Sequence, residues 1–260
     1  MEHHSEKQRG LRAYRVDLHI HTALSPCASE EMTPPAIVAA ALEAGLDMIA
    51  ISDHNSAGNI EAVQQAAVAA GGGALAVLAG MEITSMEEVH VLGLFPDVVA
   101  AEGVAAVLRP LLPTADDSYY AFFGEQPLLA ADGHPVGSET AALATAAPLG
   151  LNETVRLIHE AGGLAIAAHV DRHAFSVFSQ LGFFPEDAGF DGVEVSRRVV
   201  AGSPLLDHFA ALGLPVTRSS DSHFLEEIGS GHTDLRLAAP DFSELALALA
   251  GAQERSVARA

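Results

Sequence analysis

Basic residues, aromatics and cysteine are all scarce in this chain. Against 34 Asp and Glu it carries 13 Lys and Arg, a formal net charge of −21 over 260 residues. Affinity for long nucleic acid comes largely from Lys and Arg neutralising phosphates. The composition therefore leads us to expect no long nucleic acid as a partner, and leaves room for a small phosphorylated substrate held by a few local cations. Trp is absent and aromatics make up 5%, which leaves little for an extended base-stacking surface. The single cysteine, Cys27, excludes an intrachain disulfide and fits a reducing compartment. The longest charge-free apolar run near the middle, AAVAAGGGALAVLAGM (66–81), is broken by a triple glycine and is too short to span a bilayer. The opening MEHHSEKQRG is polar, with no apolar signal core. These absences point to a cytoplasmic setting with no membrane association, and leave the oligomeric state open.

What is abundant is Ala-rich apolar sequence: hydrophobic residues make up 49% and the mean hydropathy is +0.26. Short apolar runs over 15–21, 47–52, 74–83, 88–95, 163–169, 192–196 and 214–220 read as strands. Helical segments over 34–45, 57–72, 152–163, 203–213 and 242–251 separate most of them. Strands alternating with helices imply a mostly parallel sheet. Seven such runs suggest a single α/β domain over 1–260, a barrel before an open sheet. Residues 97–150 break the rhythm. They are proline-punctuated, hold Tyr119, Tyr120, Phe122 and Phe123 within five positions and a hairpin-type Asp132-Gly133 turn. We read them as an inserted cap or lid.

The chemistry concentrates at strand ends. In VDLHIHTALSPC (16–27) strand alternation puts Asp17, His19 and His21 on one face and Val16, Leu18 and Ile20 on the other. The second run ends in Ser52-Asp53-His54, the third in Glu82, the fifth in His169, and the seventh in Asp221 and His223. Such groups meet at one mouth in parallel α/β folds. With His90 they give six imidazoles and several carboxylates, ligand types of Zn, Mn and Fe, and too many for one tetrahedral ion. Two or three divalent metal ions are the natural reading.

The stretches DLHIHT (17–22), ISDHNS (51–56), GMEIT (80–84), VHVLGL (89–94), AAHVDR (167–172) and SSDSH (219–223) resemble, in order, the motifs of the PHP (polymerase and histidinol phosphatase) domain family. The resemblance runs from about residue 16 to about 235. It implies a distorted (β/α)7 TIM-like barrel and metal-dependent hydrolysis of phosphoesters. Carried over position by position, it implies that His19, His21, Glu82 and Asp221 hold one metal. Glu82 would bridge to a second held with His90 and His169, and His54 and His223 would hold a third. Many members have Asp or His just after the opening motif, where this chain has SPCASEE; Cys27, Glu30 or Glu31 would have to serve there.

The expected activity is hydrolysis of a small phosphomonoester, foremost a nucleotide, by a metal-activated hydroxide. Asp17, too short for direct reach, and Asp53 would act from behind the ligands. Arg172 is the first choice as phosphate clamp, because its planar fork can bind two phosphate oxygens. Arg197, Arg198 and His173 are further candidates for substrate binding. Alternatives are a histidinol-phosphate phosphatase, a short-oligonucleotide exonuclease, and a non-catalytic metal-binding module. An amidohydrolase-type barrel also opens with His-x-His, but does not call for the Asp-His pair after the second strand or for the closing Asp-x-His.

Overall fold

The computed structural model describes residues 10–258; His3 and His4 lie outside the described residues. β1 (Arg12–Ile20) sits beside β2 (Met48–Ile51), which is followed by β3 (Ala76–Thr84), β4 (His90–Phe95), β7 (Leu164–Ala167), β8 (Gly192–Val195) and β9 (Val216–Arg218). The chain beyond β9 then returns to β1. Ser222 bridges Ile20 in parallel, His21 N donates to Ser222 O at 3.0 Å, and Ser222 N donates to His19 O at 3.3 Å. The wall is thus a nearly closed barrel. β10 (Thr233–Leu237) and β11 (Ser256–Val257) extend it antiparallel beyond the first half of β1, making nine strands in all. Helices α1 (Pro34–Glu43), α2 (Ile60–Ala69), α5 (Leu151–Glu160), α7 (Pro204–Ala211) and α8 (Phe242–Leu249) fall where the periodicity put them. No helix of the described residues is long and apolar enough to cross a membrane.

Two features depart from a simple parallel barrel. β4 runs antiparallel to both neighbours, β3 and β7. Only residues 85–89 separate β3 from β4, too few for a parallel crossover, so a hairpin is the only connection available. Its first residue, His90, therefore lies at the same mouth as the last residues of β3. The second departure lies in β1. Its pairing with β2 slips between Asp17 and Ile20. Val16 and Leu18 pack with Met48, Ala50, Leu78, Leu92, Leu94 and Ile166, the alternate residues that fill the barrel interior. Ile20 packs instead with Ile49, Ile51, Met81 and Val193, in the layer between wall and helices. The expectation that Asp17 shares a face with His19 and His21 is therefore corrected: a bulge adds a residue and reverses which side chains point inward.

Residues 97–150 form α3 (Val98–Leu108), a short 3-10 turn, α4 (Asp117–Phe123), and a hairpin of β5 (Pro127–Leu129) with β6 (Pro135–Ser138) around the Asp132-Gly133 turn. Asn59, just before α2, grips the hairpin by accepting from Leu129 N at 2.8 Å and donating to Pro127 O at 3.2 Å. The returning chain is tied beside the barrel mouth, where Asn55 Nδ2 donates to Leu143 O and Thr145 O.

Candidate metal centre

Inside the barrel the apolar layers stop at Leu18, Ala50, Leu78 and Leu92, and a buried polar layer begins. Glu82, from β3, is its hub. Its Oε1 lies 2.7 Å from His90 Nδ1 and 3.0 Å from His169 Nε2. Its Oε2 lies 3.1 Å from His54 Nδ1, 3.3 Å from His21 Nε2 and 3.4 Å from His19 Nε2. Asp221 Oδ1 faces the same two imidazoles from the other side, 3.2 Å from His21 Nε2 and 3.5 Å from His19 Nε2. His223 stacks on His21, with ring centroids 4.1 Å apart. All eight residues expected as ligands converge here. His169 and Asp221 do so in the left-handed backbone region, at φ 28° and 52°, a conformation that costs free energy and clusters at functional sites.

A further layer holds these rings in place. Asp53 accepts from Thr22 N at 2.8 Å and from Ser25 Oγ at 2.6 Å, and Ser25 Oγ lies 2.9 Å from His21 Nδ1. Asp17 touches no candidate ligand side chain. It accepts from Ser220 N and Gly229 N, both at 3.0 Å, and so fixes the segment that carries Asp221 and His223. Burial pushes the Asp17 carboxyl up to about 6 and raises that of Asp53. Sequence reasoning missed Glu194. Its Oε1 lies 3.1 Å from His19 Nδ1 and accepts from His169 N at 3.2 Å. The signal was present as a lone carboxylate in the apolar strand GVEV, on the inward phase.

The electrostatics follow from crowding. Burial would raise the Glu82 carboxyl, but His90, His19 and His54 outweigh it and hold it well below the usual range. Asp221 is likewise raised by burial and held low by His19 and His21. Burial opposes charge on His21, yet Asp221 and Glu82 lift it to about 9. His19 is lifted well above its usual value by Glu194, Glu82 and Asp221, again against burial. His54 is lowered by burial, and His223 falls to about 4 through burial and the neighbouring His21.

The donor set fits divalent cations. His19 Nε2 and His21 Nε2 face each other at 3.2 Å, an arrangement a shared cation satisfies. Among the described residues the buried Nδ1 atoms of His54 and His169 make no hydrogen bond, that of His54 although it lies 3.1 Å from Glu82 Oε2, whereas such groups are nearly always satisfied. Three sets bring ligand atoms close enough for one ion: His19, His21, Glu82 and Asp221; His54, Glu82 and His90; and His21, His54 and His223. His54 thus sits between two sets. Cys27 Sγ lies 3.3 Å from His54 Nε2 at the outer side.

The cluster opens into a cleft of about 880 Å³, walled by Arg172, His173, Arg197 and Arg198. Arg172 Nη1 pairs with Asp221 Oδ2 at 2.5 Å. Arg197 is engaged with Ser230 and Glu227, and Arg198 has no side-chain partner among the described residues. Arg218 is not in the wall; it props the loop after β8 through Val199 O. The aromatics of α4 pack on one another, and none lines this cleft.

The PHP domain family model matches residues 17–179, which takes in every motif except the closing Asp-x-His. The chain belongs to the PHP domain family. A second, PHP-associated model covers residues 209–252. No curated protein matches the chain in sequence. Among solved structures the PHP chain is similar to the lesion-specific endonuclease EndoQ of Pyrococcus furiosus, at 17% identity and TM-score 0.70, over 95% of this chain and 58% of that one. Endonuclease Q in complex with a 27-mer duplex carrying an abasic lesion at its active site matches at 16% identity and TM-score 0.70, over 94% and 58%. An amidohydrolase from Chromobacterium violaceum with bound SO4 matches at 19% identity and TM-score 0.61, over 94% and 97%. This chain spans 58% of the length of the endonuclease Q chains.

The duplex-bound structure overturns one expectation, that no long nucleic acid would be a partner. The error lay in arguing from net charge. A formal −21 is a sum over the whole surface, whereas a phosphate meets the local field, and here the wall of the cleft carries Arg172, Arg197 and Arg198.

Proposed function

We propose that this PHP-family hydrolase of phosphoester bonds acts on a small phosphomonoester, with a nucleotide as the substrate class. The observation that carries the reading is the junction of the buried imidazole–carboxylate cluster with the arginine-walled cleft. A cleft of about 880 Å³ suits a small ligand. In this reading His19, His21, Glu82 and Asp221 hold one divalent ion, Glu82 with His90 and His169 a second, and His54 and His223 a third, helped by Cys27. Zn, Mn and Fe suit these donors. Divalent ions bound there supply Lewis-acid stabilisation of phosphoryl charge and acidify water.

The chain's own residues do the rest. Arg172 leaves Asp221 to grip two phosphate oxygens, and Arg198 and His173 neutralise further charge at the cleft wall. Glu194 and the Asp53–Ser25 pair orient His19 and His21. Asp17 acts as a positioning residue through the segment after β9. The 97–150 segment, tied to Asn55 next to His54, caps the same barrel domain.

A second reading, cleavage of a phosphodiester in nucleic acid, is favoured by the similarity to duplex-bound endonuclease Q. The deciding assay incubates the purified protein with Mn or Zn and a panel of phosphorylated compounds: p-nitrophenyl phosphate, nucleoside monophosphates, histidinol phosphate, and labelled intact and abasic duplexes. Phosphate release fastest from nucleoside monophosphates is the expected result. Strand cleavage without phosphate release would replace it with the second reading, and no hydrolysis of any compound would leave a metal-binding module.

A further inference from the structure

One aromatic in the cleft has no part in the scheme above. Phe175 holds φ at 58°, a conformation disfavoured for a bulky side chain. Its carbonyl accepts from His90 N at 2.9 Å, and one face of its ring lies on the His90 imidazole, with centroids 4.7 Å apart and planes 16° apart. The ring is nevertheless 43% exposed and lines the cleft, as does Phe224, 47% exposed, which directly follows His223. The loop bearing Phe175 is stiff. Arg172 N donates to His169 O at 2.9 Å, and Ser176 Oγ closes the turn on Arg172 O at 2.7 Å. The backbone of Arg172 and that of Phe175 are therefore held close together in one turn. The alternative aromatics are committed elsewhere, since Tyr119 Oη donates to Gln126 Oε1 and accepts from Ala144 N.

We infer that Phe175, with Phe224 as a second wall, is the specificity-determining surface on which the planar base of a nucleotide stacks while its phosphate lies at Arg172. The inference rests on the nucleotide reading above. A strained, half-exposed ring backed by a buried imidazole is a rigid platform, and stacking on it loses little conformational freedom. Any base offers a π-face, so the surface selects for a base without choosing among bases.

Calorimetric binding tests this independently of turnover, so that a protein that binds a nucleotide without cleaving it still decides the question. The ligands are a nucleoside monophosphate and ribose 5-phosphate, which keeps the phosphate and sugar and lacks the base. We expect the wild type to bind the nucleotide more tightly. Phe175→Leu and, separately, Phe224→Ala, which leaves the His90 contact alone, should each weaken nucleotide binding about 10-fold with ribose 5-phosphate affinity held. Phe175→Trp should restore the preference. Equal wild-type affinity for the two ligands, or parallel losses for both in the variants, would overturn the inference while leaving phosphomonoester hydrolysis intact.

Discussion

Glu194 Oε1 stands 3.1 Å from His19 Nδ1, on the side of the ring opposite Glu82 and Asp221. A carboxylate there accepts a hydrogen bond from Nδ1 and leaves Nε2 as the nitrogen that faces the cluster. Such outer partners raise the basicity of a ligand and fix its orientation.

Glu194→Gln keeps the size of the side chain and removes the charge. Metal affinity should fall about 10- to 100-fold, read by competition with a chromophoric chelator. Unchanged affinity would remove Glu194 from the site.

Metal uptake should release protons. His21 is lifted to about 9 and His19 well above its usual value in the metal-free cluster, so both are protonated near neutral pH, whereas a ligating imidazole must be neutral. Affinity should therefore weaken as pH falls below about 9. Titration calorimetry in buffers of different ionisation enthalpy should show net proton release at pH 7.5, and none would contradict these assignments.

Much of this site was legible in the chain. His19 and His21 alternate with apolar residues, and the remaining donors except His90, which opens β4, end apolar runs, so convergence of those donors followed from the barrel. The bulge in β1 was not legible, because backbone register depends on neighbours rather than on local pattern; it moved Asp17 from the cluster to Ser220 and Gly229. The direction of β4 was readable from the short 85–89 link. The partners of Arg197 and Arg218 lie far along the chain, and no spacing rule reaches Glu227 or Val199. β10 escaped because TDLRL is short and half exposed.

Gly231 packs against the backbone of Ser219, where an added Cβ would overlap the carbonyl group. Gly231→Ala must push back the segment leading to Asp221. A loss of about 1–3 kcal/mol in urea denaturation is expected, together with weaker metal binding. A variant as stable as the wild type would show that the two segments do not pack this closely.

Glu244, on α8, ties the end of β10 to the start of β11. It accepts from Ala238 N at 2.7 Å and pairs through both oxygens with Arg255, just before β11. Hydrogen bonding to Arg255 lowers the carboxyl from its ordinary 4.5. A depressed carboxyl stabilises the fold above the ordinary value and loses that contribution as pH falls through the folded one. Glu244→Gln should lower the urea midpoint at pH 7, with the gap to wild type closing below about 4.5. Metal content should not change. A gap independent of pH would show that the carboxylate charge contributes nothing.

The most direct measurement is the metal content of the purified chain beside that of Glu82→Gln, by elemental analysis after equilibration with Mn or Zn. Glu82 lies within 3.4 Å of five imidazoles. The account predicts two or more ions per chain in the wild type, and loss of both metal and phosphoester hydrolysis in the variant. A Glu82→Gln protein that keeps its metal and its activity would contradict it.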